Sequence, residues 1–134
     1  MLLMQLETQE KFAFLHIAHQ LAKSDGKIGN RETIRIDDYC MEMGIDNIIF
    51  DEENYKLENY LNKFKSAKSQ KILLLELMML VHVDDKFNQE EHELINIISN
   101  RFDFTPKLVK FASSIGKAAS ALREQALLIT DLTH

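Results

Sequence analysis

Ser24-Asp25-Gly26-Lys27-Ile28-Gly29-Asn30-Arg31-Glu32 is a phrase that this chain writes twice. It returns as Val83-Asp84-Asp85-Lys86-Phe87-Asn88-Gln89-Glu90-Glu91, with Asp25 matched to Asp84 and Glu32 to Glu91 at a constant offset of 59 residues. Each copy follows one apolar helical run and opens another. Before the first copy, Phe14, Ile17, Ala18, Leu21 and Ala22 recur at helical spacing and mark one face. The same offset gives Leu73, Glu76, Leu77, Leu80 and Val81, apolar except for Glu76. After the first copy, Ile36, Tyr39, Cys40 and Met43 are matched by Ile95, Ile98, Ser99 and Phe102. A repeat that extends to the packing faces of both helices is a repeat of a folding unit, not of one loop.

The copies differ in their first helices. In copy one it is apolar on a stripe. In copy two the run from Ile72 to Val83 is apolar nearly all round, which predicts a central helix packed on several sides. Between the copies, Asp51 is placed to cap a helix running to about Lys65, with Leu57, Leu61 and Phe64 facing inward. Thr105-Pro106 is a helix start, a threonine cap followed by proline at the first helical position. Leu108, Phe111, Ala112 and Ile115 then form a stripe that Gly116 is expected to break. Ala118, Ala119, Leu122, Ala126 and Ile129 mark a final helix. No strand pattern is visible. The expectation is an all-α single domain over 1–134, a bundle of about seven helices with roughly three quarters of its residues helical. Repeat one covers about 10–45, repeat two about 69–104, and the C-terminal helices about 106–131.

With 134 residues, 46% of them hydrophobic and 28% charged, the chain can bury a core of its own. Its net charge of −5, with acidic residues biased to the first half, argues against a partner recognised by its phosphate backbone, so no nucleic acid is expected. The single cysteine, Cys40, excludes an internal disulfide and a Cys-rich zinc site, and fits a reducing cytoplasm. The N-terminus lacks a basic leader and a cleavage site. The longest apolar run is shorter than the ~20 residues a membrane span needs.

Two chemistries compete for the repeated phrase. Asp25, Glu32, Asp84, Asp85 and Glu91 supply hard oxygen ligands of the kind calcium or magnesium takes. The spacing is not that of an EF-hand, and Lys27 stands where a ligand belongs. A cation shell would need both loops. Local helix chemistry explains several of the same residues without a ligand. Asn88 as cap and Glu91 three residues on make a capping box, and Gly29 and Glu32 take those places in copy one. Acidic residues in a first turn also favour the helix dipole. Gly26 and Asp85 suit a left-handed position past a helix end, and Ile28 and Phe87 are apolar plugs. Asp25 and Asp84 are explained least by this account. His82, Asp84, Asp85, Glu91 and His92 form a candidate zinc set, weighed against two solvent-facing histidines at helix ends. His16 and His19 share a helix face and read as boundary residues, and Cys40 as a core thiol. No phosphate-binding glycine loop, nucleophile elbow or HExxH motif occurs. The chain is therefore not expected to be an enzyme, and the sequence requires no cofactor while admitting a divalent cation (calcium, magnesium or zinc) at the two loops.

Ile17-Ala18-x-x-Leu21-Ala22-x-x-Asp25-Gly26-x-Ile28-x-x-x-Glu32 resembles the signature of the TerB-like family, named for tellurite-resistance proteins. A similar domain begins some membrane-anchored DnaJ-type co-chaperones. The resemblance runs from about residue 10 to 115, and Asp84 and Glu91 match its acidic positions a second time. Copy two departs from it with Asp85 for glycine and Val81 for alanine, and no His-Pro-Asp triplet of a J-domain is present. The resemblance implies a helical bundle with internal symmetry, a bacterial cytoplasmic protein, partners that are other proteins and in part membrane-associated, and an acidic cation site. The expectation is a non-enzymatic interaction module of a bacterial stress-response or envelope-associated complex. The alternative is a divalent-cation binding protein that uses the two loops.

Overall fold

The structure, a computed structural model, describes residues 1–23, 29–84 and 88–132, with Asn30 and Asp84 described by their backbone alone. It is all-helical, with 75% of the described residues in helix and no strand among them. Six α-helices follow a 3-10 turn at Leu3–Gln5: α1 (Thr8–Ala22), α2 (Asn30–Met43), α3 (Leu57–Leu61), α4 (Ala67–Val81), α5 (Gln89–Arg101) and α6 (Pro106–Thr130). A second 3-10 turn, His82–Asp84, extends α4.

The offset of 59 holds at both ends of the first helices and at the start of the second helices, whose last helical residues, Met43 and Arg101, are 58 apart. α1 and α4 begin at Thr8 and Ala67 and end at Ala22 and Val81. The residues that cap α2 and α5 are Gly29 and Asn88. The match resumes just past the second helices. Gly44 and Asp103, the two described residues with positive φ (69° and 56°), are again 59 apart. Past them, the Ile45 N–H donates to the Cys40 carbonyl at 3.1 Å, and the Phe104 N–H to the Ser99 carbonyl at 2.9 Å. The Gly44 and Asp103 N–H groups donate to Met41 and Asn100. Both second helices thus close with the same pair of bonds, a Schellman ending in register.

α4 lies at the centre. Ile72, Leu73, Leu74 and every residue from Glu76 to Val81 are buried, and the helix touches α1, α5, α6 and both 3-10 turns. Its all-round apolar sequence has the consequence expected of it.

Two elements differ from the sequence reading. α6 is one continuous helix, so the described residues form six α-helices and not about seven. Gly116 does not break it. A Cβ at that position would stand 2.7 Å from the Met78 backbone carbon and 2.8 Å from its Cβ, so Gly116 is where α6 lies directly on α4. Within a helix, glycine costs only about 1 kcal/mol against alanine, which close packing offsets. The Ser120 hydroxyl donates to the Met79 carbonyl at 2.7 Å one turn further on. Phe111, placed in the expected inward stripe, is 63% exposed. Asp51 does not start a long helix. Its carboxylate accepts from the Glu53 N–H and the Asn54 side chain, closing a turn, and α3 spans only Leu57–Leu61. Leu61 and Phe64 are buried as expected. Packing governs this segment: Tyr55 lies against Phe50 at a tilt and stacks on Tyr60, while His19 and His16 of α1 stack on Phe50 and Tyr60.

Candidate functional site

The two glutamates of the repeated phrase serve helix starts. The Asn88 side chain accepts from the Glu91 N–H at 2.8 Å, and the Glu91 carboxylate accepts from the Asn88 N–H at 3.0 Å. This is the reciprocal capping box, and it buries Glu91 to 7% exposure. In copy one the Glu32 carboxylate folds back over Gly29, so closely that a side chain at Gly29 would collide with it. The absent Cβ at Gly29 makes room for the acid that stands in the N3 place.

Asp25, Asp85, Gly26, Ile28 and Phe87 lie outside the described residues, as does the Asp84 side chain. The phrases themselves adjoin: an Arg31 guanidinium nitrogen donates to the Val83 carbonyl at 3.3 Å. Among the described residues no group of three His, Cys, Asp or Glu side chains is placed to hold a metal ion. His82 is half-buried with Nε2 3.1 Å from the Ser113 hydroxyl, and His92 is exposed. His16 stacks on Tyr60 with Nδ1 2.8 Å from the Phe12 carbonyl, and His19 stacks on Phe50 with Nε2 3.0 Å from the Asn47 side chain. Both histidines tie the segment after α2 to α1. Cys40 is buried, and burial, reinforced by Asp37 and Asp46, pushes its thiol pKa up, away from nucleophilic use.

A second constellation was not singled out from the sequence. It lies where α2, α4, the N-terminal segment and α6 meet, and it is built of charges. Glu76 is fully buried in α4. One of its oxygens accepts from the Leu2 N–H at 2.8 Å and lies 3.0 Å from the Met1 amino group. Glu42 of α2 takes the Met1 amino group at 2.8 Å and the Leu3 N–H at 3.0 Å. The Tyr39 hydroxyl donates to the Glu76 backbone carbonyl at 3.2 Å. Burial, then the Glu76 charge, raises the Tyr39 pKa far above the ordinary phenol value, against the opposing pull of Arg35. Asp38 is ion-paired with Arg123 of α6. Arg35 is 3% exposed, and its Nε and Nη1 have no hydrogen-bond partner.

These charges are where the repeat breaks down. By the 59-residue offset, buried Glu76 stands at the place of buried Ile17, and buried Arg35 at the place of buried Leu94. Asp38 matches Ile97 and Glu42 matches Arg101. Each copy has replaced one core hydrophobe with a charge, and both replacements abut Tyr39. Glu76 had a visible signal, as the one acid in an apolar run. Arg35 had none along its own helix, and only comparison with Leu94 exposes it.

No family model matches the chain, and neither a curated protein nor a solved structure matches it.

Proposed function

We propose that the chain is a non-enzymatic helical interaction module serving a bacterial stress-response or envelope-associated complex, as its resemblance to the TerB-like family suggests. The observation that supports this reading is the end of α6. Ser120 is its last buried residue, and the ten helical residues beyond it extend about 15 Å at 1.5 Å per residue. Arg123 still pairs with Asp38 of α2, but at the tip and just past it Leu128, Ile129 and Leu132 are 58–70% exposed. Apolar surface gathered at one helix end is what a protein partner covers. No helix among the described residues is long and apolar enough to cross a membrane. The test is capture of a partner by the purified chain, set against L128E and I129E. Loss of the same captured protein in both variants, with helical content intact, supports the reading. Capture indifferent to both variants, or turnover of a small substrate abolished by a point mutation, overturns it.

The contact between Arg31 and Val83 favours a second reading, divalent-cation binding by the acidic residues of the two loops, because it sets the phrases side by side. Since Glu32 and Glu91 are engaged at helix starts, such a site rests on Asp25, Asp84 and Asp85. Calorimetric titration with calcium, magnesium and zinc decides it. Heat and a rise in Tm that D25N or D84N removes support the site, and no response at millimolar metal eliminates it.

A further inference from the structure

α6 turns one face to the core and the opposite face to solvent. Ala112, Gly116 and Ser120 are its buried residues, and Arg123 continues that side in its pair with Asp38. On the far side Phe111, Ala118, Gln125 and Leu132 recur every seven residues, and all are exposed. Ser114, Ala121 and Leu128 recur at the same interval between them and are exposed as well. Alternating steps of three and four residues are the seam of a helix pair. The rest of the described chain leaves this seam open, with Phe111 63% and Leu128 66% exposed. Lys110, Lys117, Glu124 and Asp131, each one residue before a member of the first series, line one edge of it. The cations come first and the anions last, and none of these side chains is ion-paired with another described residue.

We propose that this face pairs with the same face of a second copy of the chain, the two α6 helices running antiparallel about a two-fold axis. This pairing rests on the reading of α6 as a contact surface and names what covers it. A single register suits both the seam and its edges. It sets Ala118 against Ala121 of the second copy, Ser114 against Gln125, and Phe111 against Leu128, and the axis repeats each contact in the other direction. The alanines at the centre let the helix axes approach to about 8 Å. In an antiparallel pair, like edges face each other. Lys117 then meets Glu124 and Lys110 meets Asp131, which gives four opposite-charge pairs per dimer. On the other edge Ile115 meets Leu122. A parallel pair would instead set Lys117 and Glu124 against Leu122 and Ile129, so the charges select the antiparallel orientation. Contact through one helix per subunit stands at the low end of specific interfaces, so the dimer is weak, with Kd on the order of 10–100 µM.

Sedimentation equilibrium of the full chain tests this. The parent chain is expected to dimerise at low salt, and more weakly as salt rises. K117E and E124K each put like charges at two of the four pairs, and each should weaken the dimer about tenfold or more. Mixed in equal amounts, the two variants should recover dimer strength to within a few-fold of the parent, because the pairs between them are again of opposite sign. A parent chain still monomeric at about 1 mM, a dimer indifferent to both variants, or a mixture no stronger than its components each overturns the proposal. A monomeric chain in which L128E and I129E still abolish capture of another protein overturns self-pairing and leaves the interaction module standing.

Discussion

Copy one and copy two share helix starts, N-terminal caps and the hydrogen bonds that close their second helices at one offset, yet they solve the same problems with different side chains. Copy one closes its second helix with Gly44 and copy two with Asp103. Copy one opens that helix with glycine under a folded-back glutamate, and copy two with a complete capping box. The first helices are covered differently. α1 is flanked by α3 and the aromatic segment after α2, whereas α4 lies under α6. Backbone geometry is therefore what the repeat preserves, and side-chain chemistry is what it has let diverge. The divergence is largest at Arg35 and Glu76, where a charge replaces a hydrophobe inside the core.

Exchanging residues between the copies turns this contrast into measurements. The largest effect is expected from Glu76→Ile, which gives copy two the residue of copy one. It strips the Leu2 N–H of its acceptor and removes the buried acid nearest Tyr39, and should lower stability in urea by about 3 kcal/mol. Arg35→Leu is expected to be close to neutral, because it removes a buried cation with unpartnered nitrogens. The double variant should recover much of the Glu76→Ile loss, and the coupling from the cycle measures how far the two charges depend on each other. Additive effects would show that the two departures from the repeat are independent.

A smaller effect lies at the helix endings. Gly44→Asp places a side chain at φ 69° and should cost about 1 kcal/mol, while Asp103→Gly relieves the same conformation and should raise stability by about 0.5 kcal/mol. Equal effects of opposite sign would mean that the two endings are energetically interchangeable. The smallest effect is Asn88→Gly, which gives copy two the cap of copy one. Its loss should be about 0.3 kcal/mol, read as a slight fall in Tm, because glycine is itself a tolerated cap. A loss above 1 kcal/mol would show that Glu91 depends on Asn88 more than Glu32 depends on Gly29.

The helices of the repeat were legible because two independent stretches carried the same apolar spacing. Capping was legible because its chemistry is local, from Asn88 to Glu91. What was not legible depends on contacts far along the chain. Gly116 reads as a breaker until Met78 is placed against it, and Asp51 reads as a cap until Glu53 and Asn54 close a turn on it. Glu76 was noticed as an exception in its helix. Its neighbour Arg35 sits four residues before Tyr39 in an ordinary amphipathic pattern, and nothing local distinguishes a buried arginine from a solvated one. The Arg123–Asp38 pair beside it joins α6 to α2, elements that no periodicity relates.

Gly116 has a mechanical consequence. Where two helices meet at backbone range, each can neither roll about its axis nor slide without a collision, and the Ser120 bond to Met79 adds a second fixed point one turn away. The rotational phase of α6 is locked there. A helix is stiff over three turns, so the compass bearing of Leu127, Leu128 and Ile129 is decided eleven or more residues upstream. A load applied at the tip would be felt as torque on α4, the helix that carries Glu76, and through the Arg123–Asp38 pair on α2.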